Sequence, residues 1–205
     1  SLCIAMALAL VLAAFAGCGK GSDGFQAASS INVISREEGS GTRGAFVELF
    51  GIEEKDADGN KVDRTIPEAE ITSSTSVMMT TVAGNTQAIG YVSLGSLDET
   101  QVKAVQVNGV APSADAVKDG SYSVSRPFNI ATMGEPEGLA ADFINFIMSD
   151  EGQAIVEEEG YISQGSTGAF EGTLPEGEIT VGGSSSVTPV MEKLIEGYQA
   201  LNANA

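Results

Sequence analysis

The sequence predicts an α/β fold in which a mixed sheet is flanked by helices. From Ile31 onward, short β-branched runs alternate with amphipathic runs, and clusters of Gly and Ser often stand between the two. Within the amphipathic runs, apolar residues recur at i, i+4 spacing. These patterns are typical of proteins whose helices pack on a sheet. A chain of 205 residues is long enough for one good core or two small lobes.

The individual elements follow from local composition and spacing. Strands are predicted at residues 32–35, 70–72, 88–92, 103–107 and 128–132. Helices are predicted at residues 42–50, 75–83, 137–148 and 151–158. Ser149 is expected to end one helix and cap the next. We expect the apolar residues at i, i+4 spacing to lie in the core; they are Phe46 and Phe50, and Leu139, Phe143 and Ile147.

The last part of the chain repeats the order strand, Gly/Ser cluster, helix. Residues 164–177 are polar and Gly-rich, which favours a linker. EITVGGSSSVTPVMEKLIEGY, residues 178–198, then predicts a short strand and a helix with Val190, Leu194 and Tyr198 on one face. A weaker copy is EITSSTSVMMTTVAG, residues 70–84. We expect a first lobe at 31–163, a linker at 164–177, and the first strand and helix of a second lobe at 178–205.

Charge and composition exclude several functions. With 28 acidic and 10 basic residues, the chain has a formal net charge of -18, so nucleic acid is an unfavourable partner. The sequence contains no histidine, which removes Ser-His-Asp and Cys-His catalysis and histidine-based zinc sites. We therefore expect no enzyme, no metal and no cofactor. The segment DADGNK, residues 56–61, imitates an EF-hand loop but has Lys61 where that loop needs Gly.

The N-terminal residues predict export and lipid anchoring. Residues 2–16 form an apolar run of signal-peptide length, followed by Gly17 and Cys18. FAGC resembles a bacterial lipobox, with Phe15 in place of the usual Leu, so 1–18 is expected to be a signal peptide and Cys18 the lipidated residue. Residues 19–30 suit a flexible tether. Ser1 is not a start methionine, and we expect further residues to precede it.

The junction SREEGSGTRG, residues 35–44, has the residue types of an anion site. Gly39 and Gly41 allow close backbone approach, and the N–H groups of residues 41–43 would converge at a helix N-terminus. Ser40 and Thr42 add hydroxyls. Arg36 adds a fork of donors that Glu38 would hold in place. Ser and Thr are also ordinary helix caps, so capping alone explains part of this pattern. The spacing matches neither a Walker A loop, a Rossmann GxGxxG nor a GxSxG elbow.

The stretch REEGSGT, residues 36–42, resembles the R-x-(D/E)-G-S-G-T loop of the PstS family, the phosphate-binding proteins of bacterial ABC transporters. Further stretches resemble the same family: AIGY (88–91), SRPF (125–128), DFINFIMSDEGQ (142–153), GYI (160–162) and GSSSVTP (183–189). Those before residue 163 together span nearly all of residues 31–162, and GSSSVTP resembles the other anion loop of the family. The resemblance implies a type II periplasmic-binding-protein fold that closes around inorganic phosphate.

The resemblance also assigns site residues and partners. Arg36, Ser40, Gly41, Thr42 and Ser185 would bind phosphate. Four further residues would support them: Glu38, Gly39, Ser184 and Ser186. The implied protein is extracytoplasmic, held at the cell membrane by a lipid anchor, and it delivers phosphate to the permease subunits of an ABC importer.

Two departures from the family pattern lead to further expectations. The family begins with the GSS-type loop, whereas here the SGT loop comes first. The chain also ends just after the helix that follows GSSSVTP, so we expect a partial chain whose second lobe is truncated. Residues 30–205 alone are then expected to bind phosphate weakly or not at all, because half the cleft is missing.

Other functions remain open at this point. Sulfate, molybdate or tungstate would suit the same kind of site. Phosphate still carries a proton at neutral pH, so a buried carboxylate acceptor would favour it over a fully ionised anion. A phosphatase is disfavoured because no metal cluster and no base of near-neutral pKa are visible. A surface interaction lipoprotein on the same fold would retain its function without Arg36.

Overall fold

The computed structural model describes residues 24–205, and it separates residues before Ile31 from a compact unit, Ile31–Ala205. The predicted signal peptide, Cys18 and tether residues 19–23 lie outside the described residues. Within the compact unit, the elements are β1 (Asn32–Arg36), α1 (Gly41–Leu49), β2 (Glu53–Lys55), β3 (Lys61–Asp63), β4 (Glu70–Thr72), α2 (Thr75–Ala83), β5 (Ala88–Ile89), a 3₁₀ turn (Leu94–Ser96), α3 (Ala114–Lys118), α4 (Gly138–Met148), α5 (Asp150–Glu158) and α6 (Thr188–Leu201).

Three parallel strands form the main sheet in the order β4-β1-β5. Strand β1 is central, and its last residue, Arg36, lies beside Thr72 at the end of β4. Because the strands are parallel, helices α1 and α2 both begin at the carboxyl edge of the sheet. Strands β2 and β3 form a separate antiparallel hairpin. The α/β class is confirmed, with the parallel and antiparallel pairings in two different sheets.

The largest apolar cluster lies among α4, α5 and α6. It combines the predicted apolar face of α4 with that of α6 and adds Phe146 and Tyr161; its buried members are Leu139, Phe143, Phe146, Ile147, Tyr161, Val190, Leu194 and Tyr198. In α1, Phe46 is half-buried and stacks on the Tyr91 ring with centroids 4.0 Å apart. The prediction for Phe50 is wrong, because its side chain lies at the end of α1 and is 43% exposed.

Three predicted strands are absent from the described residues. Residues 103–107, 128–132 and 178–181 form no named strand, and residues 88–92 pair only at Ala88–Ile89. Val105, Phe128 and Val181 are exposed in these segments. A strand needs a neighbouring strand to satisfy its backbone, and the pairing found in these segments among the described residues is an isolated bridge between Val107 and Val110.

Residues 164–177 follow the surface of α4 and α5 closely. Thr167 N donates to Met148 O at 2.9 Å, and the ring of Phe170 contacts that of Phe146. Helix α6 packs against α4 and α5 within the same compact unit. The boundaries at 163 and 178 therefore stay predictions. Within residues 24–205, no helix combines the length and apolar character needed to span a bilayer.

Asp142 fastens the segment after α5 to the core. Its carboxylate is buried and accepts from Tyr198 Oη at 2.7 Å, Thr173 N at 2.7 Å and Leu174 N at 3.2 Å. Burial raises the pKa of Asp142, but the hydrogen bonds, led by that from Tyr198, outweigh it and leave the pKa below its ordinary value. One carboxylate thus joins α4, α6 and the connecting segment.

Gly152 marks a close approach between α4 and α5. Ser149 caps α5 by accepting from Gly152 N at 3.2 Å, and its hydroxyl donates to Phe146 O at 2.7 Å. A Cβ on Gly152 would lie 2.0 Å from Phe146 O and 2.7 Å from Ile147 O. The backbone of the preceding helix therefore leaves room only for glycine here.

We expect Gly152→Ala to lower the free energy of unfolding by about 1–3 kcal/mol, because the backbone must shift to admit the methyl group. Gly44→Ala is the matched control: Gly44 lies within α1 and nothing stands within 4 Å of its added Cβ. That change should raise the free energy of unfolding by about 0.4–1 kcal/mol. Urea denaturation measures both, and equal effects would contradict the contact.

We expect Asp142→Asn to cost about 1–3 kcal/mol at neutral pH, because the new amide cannot accept all three hydrogen bonds. The folded-state pKa of Asp142 is lowered, so its contribution is complete above the unfolded pKa of about 3.9. It is lost as the pH falls through the folded-state pKa. The stability difference between the wild type and Asp142→Asn should therefore shrink in acid, as denaturant unfolding at several pH values measures.

Asp58→Asn is the control, since the Asp58 side chain is exposed on the β2–β3 turn. This change should alter the free energy of unfolding by less than about 0.5 kcal/mol. A pH-independent difference for Asp142→Asn would show that the charge of Asp142 contributes nothing.

Candidate functional site

Three junctions between extended chain and helix meet at the carboxyl edge of the main sheet. Two of them follow β1 and β4 and lead into α1 and α2. The third is the Gly/Ser loop 182–187, which leads into α6. The first N–H groups of a helix lack intrahelical acceptors and carry partial positive charge. The fold therefore brings three groups of free donors and small hydroxyls together at one edge.

Arg36 lies at the centre of this edge and is 2% exposed. Its backbone N–H donates to Tyr91 Oη at 3.0 Å. In the side chain, Nε and Nη2 donate to the two carboxylate oxygens of Glu37, each at 2.8 Å. Nη2 also donates to Ser185 Oγ at 3.1 Å, and Nη1 makes a long contact of 3.4 Å with Thr75 Oγ1. The guanidinium is therefore fixed by groups from three parts of the chain, and Tyr91 holds the Arg36 backbone.

The glutamate that holds Arg36 is Glu37 and not Glu38, so the predicted supporting role of Glu38 is wrong. Glu38 is exposed at the turn after β1, while Glu37 N donates to Thr72 O at 3.0 Å and stays beside the strand end. The hydrogen bond from Arg36 lowers the pKa of Glu37 below its ordinary value. Glu37 is thus the ionised partner of the buried guanidinium.

Ser185 joins the first and second junctions. Its Oγ accepts from Arg36 Nη2 and from Thr75 N, the latter at 3.3 Å, and lies 3.1 Å from Thr75 Oγ1. Thr75 is the first residue of α2 and is buried. A residue from the last loop therefore touches both the arginine of β1 and the start of α2.

Thr42, Ser184 and Ser186 form a small hydroxyl cluster beside Arg36. Thr42 Oγ1 lies 3.3 Å from Ser184 Oγ and donates to Ser186 Oγ at 3.2 Å, and the two serine hydroxyls are 3.1 Å apart. Ser186 is buried, and its carbonyl accepts from Tyr161 Oη at 2.6 Å. Ser186 therefore anchors the loop, whereas Ser184 lines the cleft.

Residues 39–41 of the first junction both cap helix α1 and line the cleft. Ser40 Oγ accepts from Arg43 N at 3.3 Å, which caps α1 and uses the Arg43 amide. The N–H groups of residues 41–43 were expected to converge on an anion. Because the cap uses the Arg43 N–H, those of Gly41 and Thr42 remain for this role. Gly39 has φ +86°, a left-handed conformation that favours glycine.

The cleft at this edge has a volume of about 460 Å³. Hydroxyls, amides and one guanidinium provide the donors; the lining residues are Arg36, Glu37, Gly39, Ser40, Gly41, Gly183, Ser184 and Ser185. Such a set of donors suits a small oxyanion. In residues 24–205, no group of three or more Cys, Asp and Glu side chains could hold a metal ion.

The structure thus brings the predicted residues Arg36, Thr42 and Ser185 together with the first turn of α1. The site list from the sequence did not include Thr75, Tyr91 and Glu37. Thr75 lies in the weaker copy of the strand-to-helix pattern, residues 70–84, and Tyr91 lies in AIGY, residues 88–91. Tyr91 Oη contacts Ser35 Oγ at 2.9 Å as well as Arg36 N, so it helps to hold the end of β1 in position.

Comparison with known proteins identifies a protein family to which this chain is similar. A family model described as a PBP superfamily domain matches residues 13–151. Phosphate-binding protein PstS 2 of Streptococcus agalactiae is 50% identical over 189 residues, which cover 92% of this chain and 64% of the relative. Its namesake in Streptococcus pneumoniae is 46% identical over 177 residues, covering 86% and 60%. The chain therefore spans less than two thirds of the length of these relatives.

Two solved structures are similar to this chain. A phosphate-binding protein of a phosphate ABC transporter from Streptococcus pneumoniae has a TM-score of 0.69 and 45% identity, covering 86% of this chain and 68% of that one. A putative phosphate ABC transporter substrate-binding protein with bound phosphate, from Clostridium perfringens, has a TM-score of 0.56 and 38% identity. It covers 65% of this chain and 51% of that one.

The contact between Thr75 and Ser185 can be tested by a double-mutant cycle on the free energy of unfolding. We expect Thr75→Val and Ser185→Ala to couple by about 0.5–1.5 kcal/mol, because each removes one side of the same hydrogen bond. Thr65→Val with Ser185→Ala is the control pair, since Thr65 Oγ1 instead donates to Asp63 at 2.6 Å. That pair should be additive to within about 0.5 kcal/mol. Additivity of the first pair would mean that the two junctions do not meet.

Proposed function

The chain belongs to the PBP superfamily and, within it, to the PstS family of phosphate-binding proteins, and on this basis we propose that it captures inorganic phosphate for an ABC importer. The proposed protein is a non-enzymatic solute-binding lipoprotein. Its partners would be the phosphate ion and the permease subunits of the importer.

The observation that carries the proposal is the placement of Arg36. A buried guanidinium faces a cleft whose other walls are the start of α1 and the Gly/Ser loop before α6. Arg36 would bind two phosphate oxygens through charge-assisted hydrogen bonds. The Gly41 and Thr42 amides and the Ser184 and Ser185 hydroxyls would donate to the remaining oxygens.

The residues of the site favour binding over turnover. Its serine and threonine hydroxyls lie among one another and beside Arg36, and the sequence contains no histidine that could activate one of them. Binding without reaction is what a transport receptor requires. The absence of hydrolysis of a chromogenic phosphate ester would agree with this proposal.

The proposed location is extracytoplasmic, at the cell membrane. It is supported by the apolar run 2–16 and by Cys18 in a lipobox-like sequence. A lipid on Cys18 together with the Gly- and Ser-rich residues 19–30 would tether the binding unit while leaving it free to meet a permease.

We expect Arg36→Lys to weaken phosphate binding by about 10- to 100-fold, because lysine keeps the charge but loses the two-point fork. NMR titration of backbone amides with inorganic phosphate measures this even if affinity is weak, and the same spectra report whether the variant is folded. The cleft residues, including Gly41 and Ser184, should show the largest shifts.

Arg64→Lys is the matched control, since Arg64 pairs with Glu54 on the exposed hairpin at 3.0 Å. Its phosphate affinity should equal that of the wild type. Equal affinities for wild type and Arg36→Lys would contradict the proposed site. Tighter binding of sulfate or molybdate than of phosphate at neutral pH would instead assign the cleft to another oxyanion.

A further inference from the structure

The Arg36 guanidinium already holds an anion in this structure, the carboxylate of the next residue. Nε and Nη2 donate to the two Glu37 carboxylate oxygens, each at 2.8 Å. This side-on, two-point geometry is also the one in which a guanidinium binds a phosphate group. The donors best suited to an oxyanion ligand are therefore occupied by the protein itself.

The other donors of Arg36 are also directed at protein groups. Nη2 donates to Ser185 Oγ at 3.1 Å, and Nη1 faces Thr75 Oγ1 at 3.4 Å. Glu37 lines the same cleft as Gly41 and Ser184. An oxyanion that enters the cleft must therefore either displace the Glu37 carboxylate from the fork or lie against a second negative charge.

The two partners differ in their freedom to move. The Arg36 side chain is 3% exposed and the Glu37 side chain 38% exposed. Moving Arg36 would break its contacts with the last loop and with α2, whereas Glu37 can rotate into solvent. A buried cation without a counter-charge is strongly disfavoured, but an arriving oxyanion supplies that charge as the carboxylate leaves.

We propose that Glu37 is an intramolecular competitor of the oxyanion: it occupies the Arg36 fork in the empty site and is displaced when the ligand binds. This inference rests on the proposed function, because it presumes that an oxyanion binds at Arg36. Glu37 neutralises the buried guanidinium in the absence of ligand. The measured affinity then equals the intrinsic affinity multiplied by the fraction of ligand-free molecules in which Glu37 does not occupy Arg36.

The test compares Glu37→Gln with Glu38→Gln in titrations with inorganic phosphate and, separately, with inorganic sulfate. Both variants lose one negative charge, but the Glu38 side chain is exposed and does not contact Arg36. We expect Glu37→Gln to bind both anions about three- to tenfold tighter than Glu38→Gln does. The factor should be the same for phosphate and sulfate, because a competitor for the fork does not distinguish between them.

Two results would overturn the inference. If Glu37→Gln binds no tighter than Glu38→Gln, the fork is not blocked by Glu37. If Glu37→Gln loses phosphate affinity and keeps sulfate affinity, the carboxylate stays in place and accepts the proton of phosphate, which is the opposite role.

A measurement on the unmodified protein does not depend on the folding of a variant. The ¹³Cδ resonance of Glu37 should move toward that of a free, solvated glutamate when phosphate saturates the site, and that of Glu38 should not move. A Glu37 resonance that stays unchanged at saturation would contradict displacement.

The outcomes also separate this inference from the proposed function. If wild type and Glu37→Gln bind phosphate equally well, the function stands and the inference fails. If only Glu37→Gln binds an oxyanion, the inference stands and phosphate capture by this chain fails. If neither binds phosphate or sulfate, both fail.

Discussion

Arg36 is a charged group almost wholly removed from water, at the end of the central strand of the main sheet. Burying a cation is so costly that it persists only where partners replace its hydration. Here Tyr91 accepts from the backbone N–H, and Glu37 accepts from Nε and Nη2. Ser185 also accepts from Nη2, and Thr75 contacts Nη1. Segments between the strands of the sheet, just after it and long after it thus all contact this one residue. The anion cleft is the open side of that same arrangement.

The overall charge of the chain says little about this cleft. A net charge of -18 is spread over the surface, where salt screens it beyond about 8–10 Å. Inside the cleft, the nearest groups are the Arg36 guanidinium with its Glu37 partner, helix-start amides and hydroxyls. These act over a few ångströms, and because Arg36 is removed from water, its hydrogen bonds are stronger than those of an exposed arginine. An acidic protein can therefore hold an anion, provided that the donors are local and already in place.

Sequence reasoning predicted the features that depend on neighbouring residues. The bounds of α2 and β4 followed from local composition and capping, and the meeting of Arg36 with Ser185 followed from the family resemblance. Strand β1 was predicted to end at Ser35 and ends one residue later, at Arg36. Glu38 does not contact Arg36 as expected, because β1 ends at Arg36 and the chain turns there, which leaves the Glu37 carboxylate beside the guanidinium. Residues 103–107 and 128–132 carry strand-like composition, yet a strand exists only beside a partner, which local composition does not reveal.

The reach of the Gly/Ser loop back to the sheet has a consequence for how the protein folds. Ser185 and Arg36 are separated by 149 positions along the chain, and Ser186 and Thr42 by 144. The β1–α1 and β4–α2 units can form from nearby contacts, but closing so long a loop costs entropy that only the docking of α6 offsets. Undocking of α6 removes Ser185 from the cleft while leaving the sheet paired. The complete cleft therefore exists only when both ends of the compact unit have come together.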